Sequence, residues 1–338
     1  MKFLSDNTAP AAPEVMAALA DANHGYARAY GDDDWSRRLD AAFSCYFEAP
    51  VRVFPVSTGT AANALALATL TPPYGAILAT EAAHVVHDEC GACELQSGGA
   101  RLTLVPAEQG RMTPRALLQV LEDHPVSVHS VQPAAVTITQ ATECGTVYTP
   151  GQVLAIADIA QARGLTLHMD GARFANALAH LGARPADLTW KAGVEVLSFG
   201  ATKNGALTAE AVVFFNPALT RDFELRRKRA AHLLSKMRYV SAQLLACVEG
   251  DFFLANAARA NRLAQRIAQA AGTRLLYPVE ANALFLQFAA GQREALRAQG
   301  FEFYDWGAPS ALAARFVVSW DQPEADVLAL CQALRAWT

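Results

Sequence analysis

The sequence predicts an α/β protein with a large, mostly parallel, seven-stranded sheet followed by a smaller C-terminal α+β domain. From Arg52 to about Phe215, short β-branched or apolar runs alternate with Ala/Leu-rich segments of helix length, the rhythm of a parallel sheet covered by helices on both faces. After Asn216-Pro217 the rhythm changes to longer helical stretches separated by short strands. With 338 residues, 52% of them apolar and 18% charged, the chain has material for a substantial core and length for about two domains.

Gly31-Asp32-Asp33-Asp34 reads as a turn and 35–47 as the helix after it. Residues 51–56 form the first expected strand, Ser57-Thr58-Gly59-Thr60 a turn, and 61–70 a helix. Further strands are expected at 76–80, 101–105, 135–139, 165–169, 194–198 and 211–215, with helices at 114–122, 150–163 and 172–180. Gly164 is a suitable helix stop, because glycine enters the left-handed conformation without steric cost. Leu233, Met237, Val240, Leu244 and Val248 recur at helix spacing and predict one long helix through 221–248. A helix at 252–271 is bounded by Gly272. Strands at 275–278, 284–288, 301–305 and 316–320 then alternate with helices at 293–299 and 324–337. The expected organisation is an N-terminal segment 1–48, a large domain 49–220, a connecting helix 221–250 and a small domain 251–338.

Charge and cysteine usage narrow the function classes. The formal net charge is −4, from 28 basic and 32 acidic residues, which disfavours a nucleic-acid partner. Six cysteines in a chain this long do not resemble a secreted disulfide framework. The opening residues lack a signal-peptide core, and the apolar windows fall short of a membrane span. A cytoplasmic protein with no membrane partner is the expectation.

Three loops could carry chemistry. Ser57-Thr58-Gly59-Thr60-Ala61-Ala62-Asn63 lies between a strand and a helix, where free amides and hydroxyls can hold a phosphate. Thr58 or Thr60 could equally be an ordinary N-cap. Asp170, in His168-Met169-Asp170-Gly171-Ala172-Arg173, ends a strand at the ligand edge of an open α/β sheet. It could pair with a protonated ring nitrogen or simply cap the next helix. Lys203 follows an apolar strand within Ser198-Phe199-Gly200-Ala201-Thr202-Lys203-Asn204-Gly205, where an amine could meet an electrophilic carbonyl. Alone it would read as a surface lysine. Phosphate cradle, carboxylate and lysine together are what pyridoxal 5′-phosphate requires.

These motifs, with Ser5-Asp6-Asn7, Ala29-Tyr30-Gly31-Asp32-Asp33, the run from Val136 to Glu143, Ser235-Lys236-Met237-Arg238 and Arg315-Phe316, run nearly end to end. The chain resembles the threonine aldolase family, especially its low-specificity L-threonine and phenylserine aldolases, of the pyridoxal-phosphate fold type I (aspartate-aminotransferase-like). The resemblance implies that Lys203 carries the cofactor, Asp170 pairs with its ring nitrogen, and Thr58, Gly59 and Thr60 hold its phosphate. It places His84 on the ring and Ser5, Arg173 and Arg315 at the substrate carboxylate. Tyr30 would reach a site across a subunit boundary, Lys228 or Arg229 would approach a neighbour's cofactor phosphate, and the assembly would be a homotetramer built as a dimer of dimers. The implied reaction is retro-aldol cleavage of L-threonine, L-allo-threonine or phenylserine to glycine and an aldehyde. A β-eliminating lyase, an aminotransferase or a non-catalytic cofactor-binding protein is the alternative.

Two clusters invite other readings. His84, His87, Cys90 and Cys93 have zinc-ligand side chains, but steps of three residues drift about 60° each around a helix. One regular helix cannot close all four on an ion, and no metal is expected. His87 departs from the polar or acidic residue of the resembled family and is expected to tune the aldehyde side. Arg226-Arg227-Lys228-Arg229 is the only dense basic run, a solvated helix face unless the resemblance gives it its intersubunit role. For the proton acceptor, His84, His129 and a water positioned by either are open, since histidine titrates in the useful range.

Overall fold

The computed structural model describes residues 1–337. Its strands are β1 (Arg52–Val56), β2 (Gly75–Thr80), β3 (Arg101–Val105), the short pair β4 (Ala107–Glu108) and β5 (Arg111–Met112), β6 (Gln132–Thr139), β7 (Thr166–Gly171), β8 (Val196–Gly200), β9 (Glu210–Phe214), β10 (Ala283–Gln287), β11 (Tyr304–Trp306) and β12 (Ala313–Val317). Seven of them form one sheet in the order β1-β9-β8-β7-β6-β2-β3. Neighbours from β8 through β3 are parallel, whereas β9 runs antiparallel to both β1 and β8. The reversal brings the first residue of β9, Glu210, beside Val56 and Gly200. The carboxyl ends of the parallel strands thus share one edge with the start of β9.

Helix starts follow local chemistry. Thr58, Thr113 and Thr149 cap the helices Gly59–Leu70, Pro114–Asp123 and Pro150–Ala162, and Thr149 forms a reciprocal box with Gln152. Each cap satisfies an amide that the helix leaves without a partner. The helix Gly59–Leu70 buries Ala61 through Ala68 without interruption, which explains its apolar composition: it packs between the sheet and other helices rather than on a wet surface. Phe43, Phe47, Phe174, Phe199 and Phe253 interlock at centroid distances of 5.2–6.3 Å and fill the core beneath the sheet's other face.

The helix expected through 221–248 is two helices, Phe223–Arg229 and Arg238–Glu249. Residues 230–237 contain neither Gly nor Pro to announce the break. Ala231 turns with a φ of 65°, and His232 Nδ1 lies 3.1 Å from Ser57 Oγ; tertiary contact overrides helical spacing here. The longest helix is instead Phe252–Ala271. It packs against a three-stranded antiparallel sheet ordered β10-β12-β11. The strand expected at 275–278 is reduced to a single bridge, Leu275 to Leu286.

The N-terminus ties the two parts together. Phe3 is buried among Phe301 and Phe316, and its carbonyl accepts from the Val317 amide at 2.9 Å. Three residues later Asp6 reaches the edge of the large sheet. No helix among the described residues is long and apolar enough to cross a membrane.

Candidate active site

At the carboxyl edge of the sheet two adjoining cavities open, of about 460 and 700 Å³. Thr58, Gly59, Thr60, His84, Asp170, Arg173 and Lys203 line the first; Ser5, His84, His87, Arg173, Lys203 and Arg315 line the second. The loops after β1, β2, β7 and β8 supply most of these groups, as an open α/β sheet dictates.

Thr58 Oγ1 accepts from Ala61 N at 3.1 Å as a cap, while the amides at this helix start remain without intrahelical partners. Ser57 and Thr208 add hydroxyls to the same wall. Asp170, 4% exposed, accepts from the Ala172 amide at 2.9 Å and from Asn63 Nδ2 at 2.8 Å. The helix that Asp170 might have capped begins later, at Phe174. Lys203 is half-buried in the turn after β8. That turn lies tight against the Asp170 loop: a Cβ on Gly200 would sit 2.6 Å from Ala172 Cα, so only glycine allows this approach.

His168 is not a site group. It is fully buried on β7, between Thr137 Oγ1 of β6 at 2.8 Å and Ser198 Oγ of β8 at 2.9 Å. Burial drives its pKa down to about 4, so it is a neutral strut across three strands. His84 starts the short helix His84–His87, with Nδ1 2.9 Å from Glu89 Oε1. His87 Nε2 meets the Glu81 carbonyl at 2.6 Å. The helix then breaks, with Cys90 and Gly91 at φ of 52° and 73°. Cys93 is buried while Cys90 is exposed.

Arg173 and Arg315 differ in their partners. Arg173 donates through Nε and Nη2 to both oxygens of Asp6, at 2.8 and 2.9 Å. Burial opposes ionisation of Asp6, but the Arg173 and Lys203 charges, with hydrogen bonds from Arg173 and Asn282, hold its pKa below the ordinary value. The Arg315 side chain makes no ion pair or hydrogen bond among the described residues. Its Nε is buried without a partner, and its guanidinium lies 5.4 Å from the Tyr304 ring centroid. Burial first, and the Arg173 charge second, depress its pKa. An unpaired, partly desolvated cation facing a cavity is a seat for an anion.

Asp6→Asn is expected to lower stability by about 3–5 kcal/mol at neutral pH, because Arg173 would keep its charge without its carboxylate. A depressed carboxyl pKa stabilises above the unfolded value of about 3.9 and ceases to do so as pH falls through the folded value. Denaturant titrations of the two proteins should therefore separate above about pH 5 and converge in stronger acid. Parallel curves at all pH values would contradict the assignment.

Four residues named from the sequence lie elsewhere. His129 is exposed on the loop that precedes β6, its amide bonded to Ser127 Oγ at 3.1 Å. That loop leads into the amino end of a parallel strand, the edge opposite the cavities, so its own chain does not bring His129 to this site. Tyr30 is exposed with φ 60°, and Lys228 Nζ sits 4.6 Å from its ring centroid. Tyr30, Lys228 and the exposed Arg229 do not line either cavity.

Several site groups carried no assigned role in the sequence. Asn63 and Asp6 sat inside recognised motifs, but their partners lie 107 and 167 residues away. Glu143 and Glu210 are buried carboxyls on the first cavity, each pushed up to about 7, chiefly by burial. Glu210 had a legible signal: an acid opening the apolar run Glu210-Ala211-Val212-Val213. Among the described residues, no group of His, Cys, Asp and Glu is arranged to hold a metal ion.

A sequence model of the beta-eliminating lyase family matches residues 2–290. A low specificity L-threonine aldolase from Pseudomonas sp. (strain NCIMB 10558) is 46% identical over 339 residues, covering 99% of this chain and 97% of the relative. The solved threonine aldolase of Leishmania major superposes with a TM-score of 0.93 at 25% identity, over 99% of both chains. An aspartate aminotransferase from Rhodobacter sphaeroides, 15% identical, shares the fold with a TM-score of 0.74 over 100% of this chain and 92% of its own.

Proposed function

Because the chain belongs to the threonine aldolase family within the beta-eliminating lyases, we propose that it cleaves β-hydroxy-α-amino acids, such as L-threonine, L-allo-threonine or phenylserine, to glycine and an aldehyde. Its fold is the aspartate-aminotransferase-like type I fold of pyridoxal-phosphate enzymes. The residues present fit that cofactor: amides and hydroxyls at a helix start for the phosphate, a buried carboxylate for the ring nitrogen and a lysine on the same cavity.

In this reading Thr58, Gly59 and Thr60, helped by Ser57 and Thr208, hold the phosphate. Asp170 holds a proton on the ring nitrogen, His84 covers the ring, and Lys203 holds the cofactor covalently. When bound, pyridoxal phosphate supplies a sink for the electron pair of the breaking Cα–Cβ bond. Arg315 grips the substrate carboxylate, with Ser5 and Arg173 beside it, and so fixes the rotation about the bonds at Cα. His84 faces the reacting groups from the second cavity and is the chain's own candidate to take the β-hydroxyl proton. Tyr30, Lys228 and Arg229, unused by their own cavities, would serve a neighbouring subunit in a homotetramer.

The observation that carries this reading is the unpaired Arg315 opening onto the same cavity as Lys203. Arg315→Lys keeps the charge but loses the planar fork. Losing a charge-assisted hydrogen bond of about 1.5–3 kcal/mol should weaken glycine and threonine binding roughly 10–100-fold. Titration of the cofactor absorbance reads that affinity separately from cleavage; unchanged affinity and unchanged single-turnover cleavage would remove Arg315 from the carboxylate site. For the reaction itself, purified protein with L-threonine, L-allo-threonine or phenylserine should yield glycine and the matching aldehyde in equal amounts. Ammonia with a 2-oxo acid that keeps the whole carbon skeleton (2-oxobutanoate from threonine, phenylpyruvate from phenylserine), or transfer of the amino group, would overturn the aldolase reading in favour of elimination or transamination.

A further inference from the structure

One carboxylate behind the site joins two groups that the proposed reaction uses. The Glu89 side chain is completely excluded from solvent. Its Oε1 receives His84 Nδ1 at 2.9 Å and Asn63 Nδ2 at 2.8 Å, and the same Asn63 nitrogen donates to Asp170 Oδ2 at 2.8 Å. The amide orientation of Asn63 is forced, because its oxygen turned toward two carboxylates would meet only acceptors. Both hydrogens of one NH2 group are therefore committed, and Asn63 Oδ1 is left buried without a partner. This arrangement fixes Glu89, and Glu89 in turn fixes the imidazole.

We propose that Glu89 is a positioning residue that locks His84 in the tautomer with its proton on Nδ1, so that Nε2 presents its lone pair to the substrate's β-hydroxyl group. The inference rests on the aldolase reading for its substrate, but not for the dyad itself. In the step it supports, the proton leaves the β-hydroxyl oxygen for His84 Nε2. The O–H electron pair becomes the second bond of the aldehyde carbonyl, and the Cα–Cβ pair would be taken up by the electron sink that bound pyridoxal phosphate supplies. The imidazolium that forms is neutralised by Glu89, as a buried carboxylate does for other catalytic histidines. His84 then releases its proton to solvent through its half-exposed edge, while Cα takes one from solvent, so that the cycle closes without net proton change.

The charges around His84 favour this arrangement. Glu89 follows it in the chain, Asp170 faces it from β7, and Lys203 faces it from the turn after β8. Glu143, beyond β6, accepts the His84 backbone amide at 2.8 Å. His87, Asp88, Glu81 and Arg173 share the second cavity with it. Among these influences the Glu89 hydrogen bond is the strongest and raises the His84 pKa, with burial and Lys203 working against it. Burial raises the Glu89 pKa above the ordinary carboxylate value, and the hydrogen bonds from His84 and Asn63 work against that rise.

The test is the pH dependence of acylation of His84 by diethyl pyrocarbonate, which attacks only neutral imidazole, read by peptide mass spectrometry on the full-length protein with and without pyridoxal phosphate. Glu89→Gln is nearly isosteric; it removes the charge and exchanges one acceptor oxygen for an NH2 donor. It should move the half-reaction point of His84 to lower pH by about one unit, a tenfold change in proton affinity, and move the acidic limb of kcat/KM with it. Glu89→Asp, which retains the charge on a shorter stem, should restore part of the shift even if Glu89→Gln is poorly stable. An unchanged His84 titration in both variants would overturn the proposal. A shifted titration in a protein that makes no glycine would retain the dyad while rejecting the aldolase reading.

Discussion

Lys203→Ala is expected to keep its fold, bind pyridoxal phosphate non-covalently and lose multiple turnover. Lys203 stands in a short turn after β8, facing both cavities, and no other lysine lines either of them. A pre-positioned amine acts at an effective concentration far above any free amine in solution, so its loss should lower kcat on the order of 10³-fold or more. The fold should survive because the side chain makes no hydrogen bond or ion pair among the described residues and Gly205, Asn204 and Ala201 hold the turn through their own contacts. Circular dichroism and thermal unfolding check the fold, and steady-state assay checks turnover. Normal turnover in the variant would remove Lys203 from the chemistry.

Asp170→Asn should be nearly as damaging, by a different route. The variant keeps an oxygen for the Ala172 amide but sets an NH2 group against Asn63 Nδ2, where the wild-type carboxylate accepts at 2.8 Å. It also removes the negative charge that would hold a proton on the cofactor's ring nitrogen. Removing one preorganised electrostatic partner costs about 10²–10³ in rate, and the disturbance of Asn63 and Glu89 adds to it. Stopped-flow absorbance at saturating substrate should show slowed cleavage with the cofactor still bound. Wild-type kinetics in the variant would mean that Asp170 serves the turn alone.

Strand–helix alternation made the large sheet legible because the inner parallel strands β2, β7 and β8 are buried on both faces and read as apolar runs. It also made the site's edge legible, since Thr58, Asp170 and Lys203 all follow such runs. What the sequence concealed was long-range. Asp6 gives no local sign that it will clamp Arg173, because nothing near either residue in the chain requires the other. The break between Arg229 and Arg238 was hidden for the same reason: the helical spacing of Leu233 and Met237 continues through it, and a contact from His232 to Ser57 decides the geometry. His129 shows the converse. Its residue type suits a proton acceptor, but its position before a parallel strand puts it at the opposite edge of its own chain's sheet. Residue type reveals possible chemistry, whereas the edge of the sheet decides which residues can share it.

The central claim is that this cavity holds pyridoxal phosphate on Lys203. Borohydride reduction of the loaded protein, followed by proteolysis and peptide mass spectrometry, tests it directly. The account predicts a single reduced pyridoxyl adduct, on the peptide containing Ser198-Phe199-Gly200-Ala201-Thr202-Lys203, with fragment ions placing it on Lys203. An adduct on Lys191, Lys228 or Lys236 with Lys203 unmodified would contradict it.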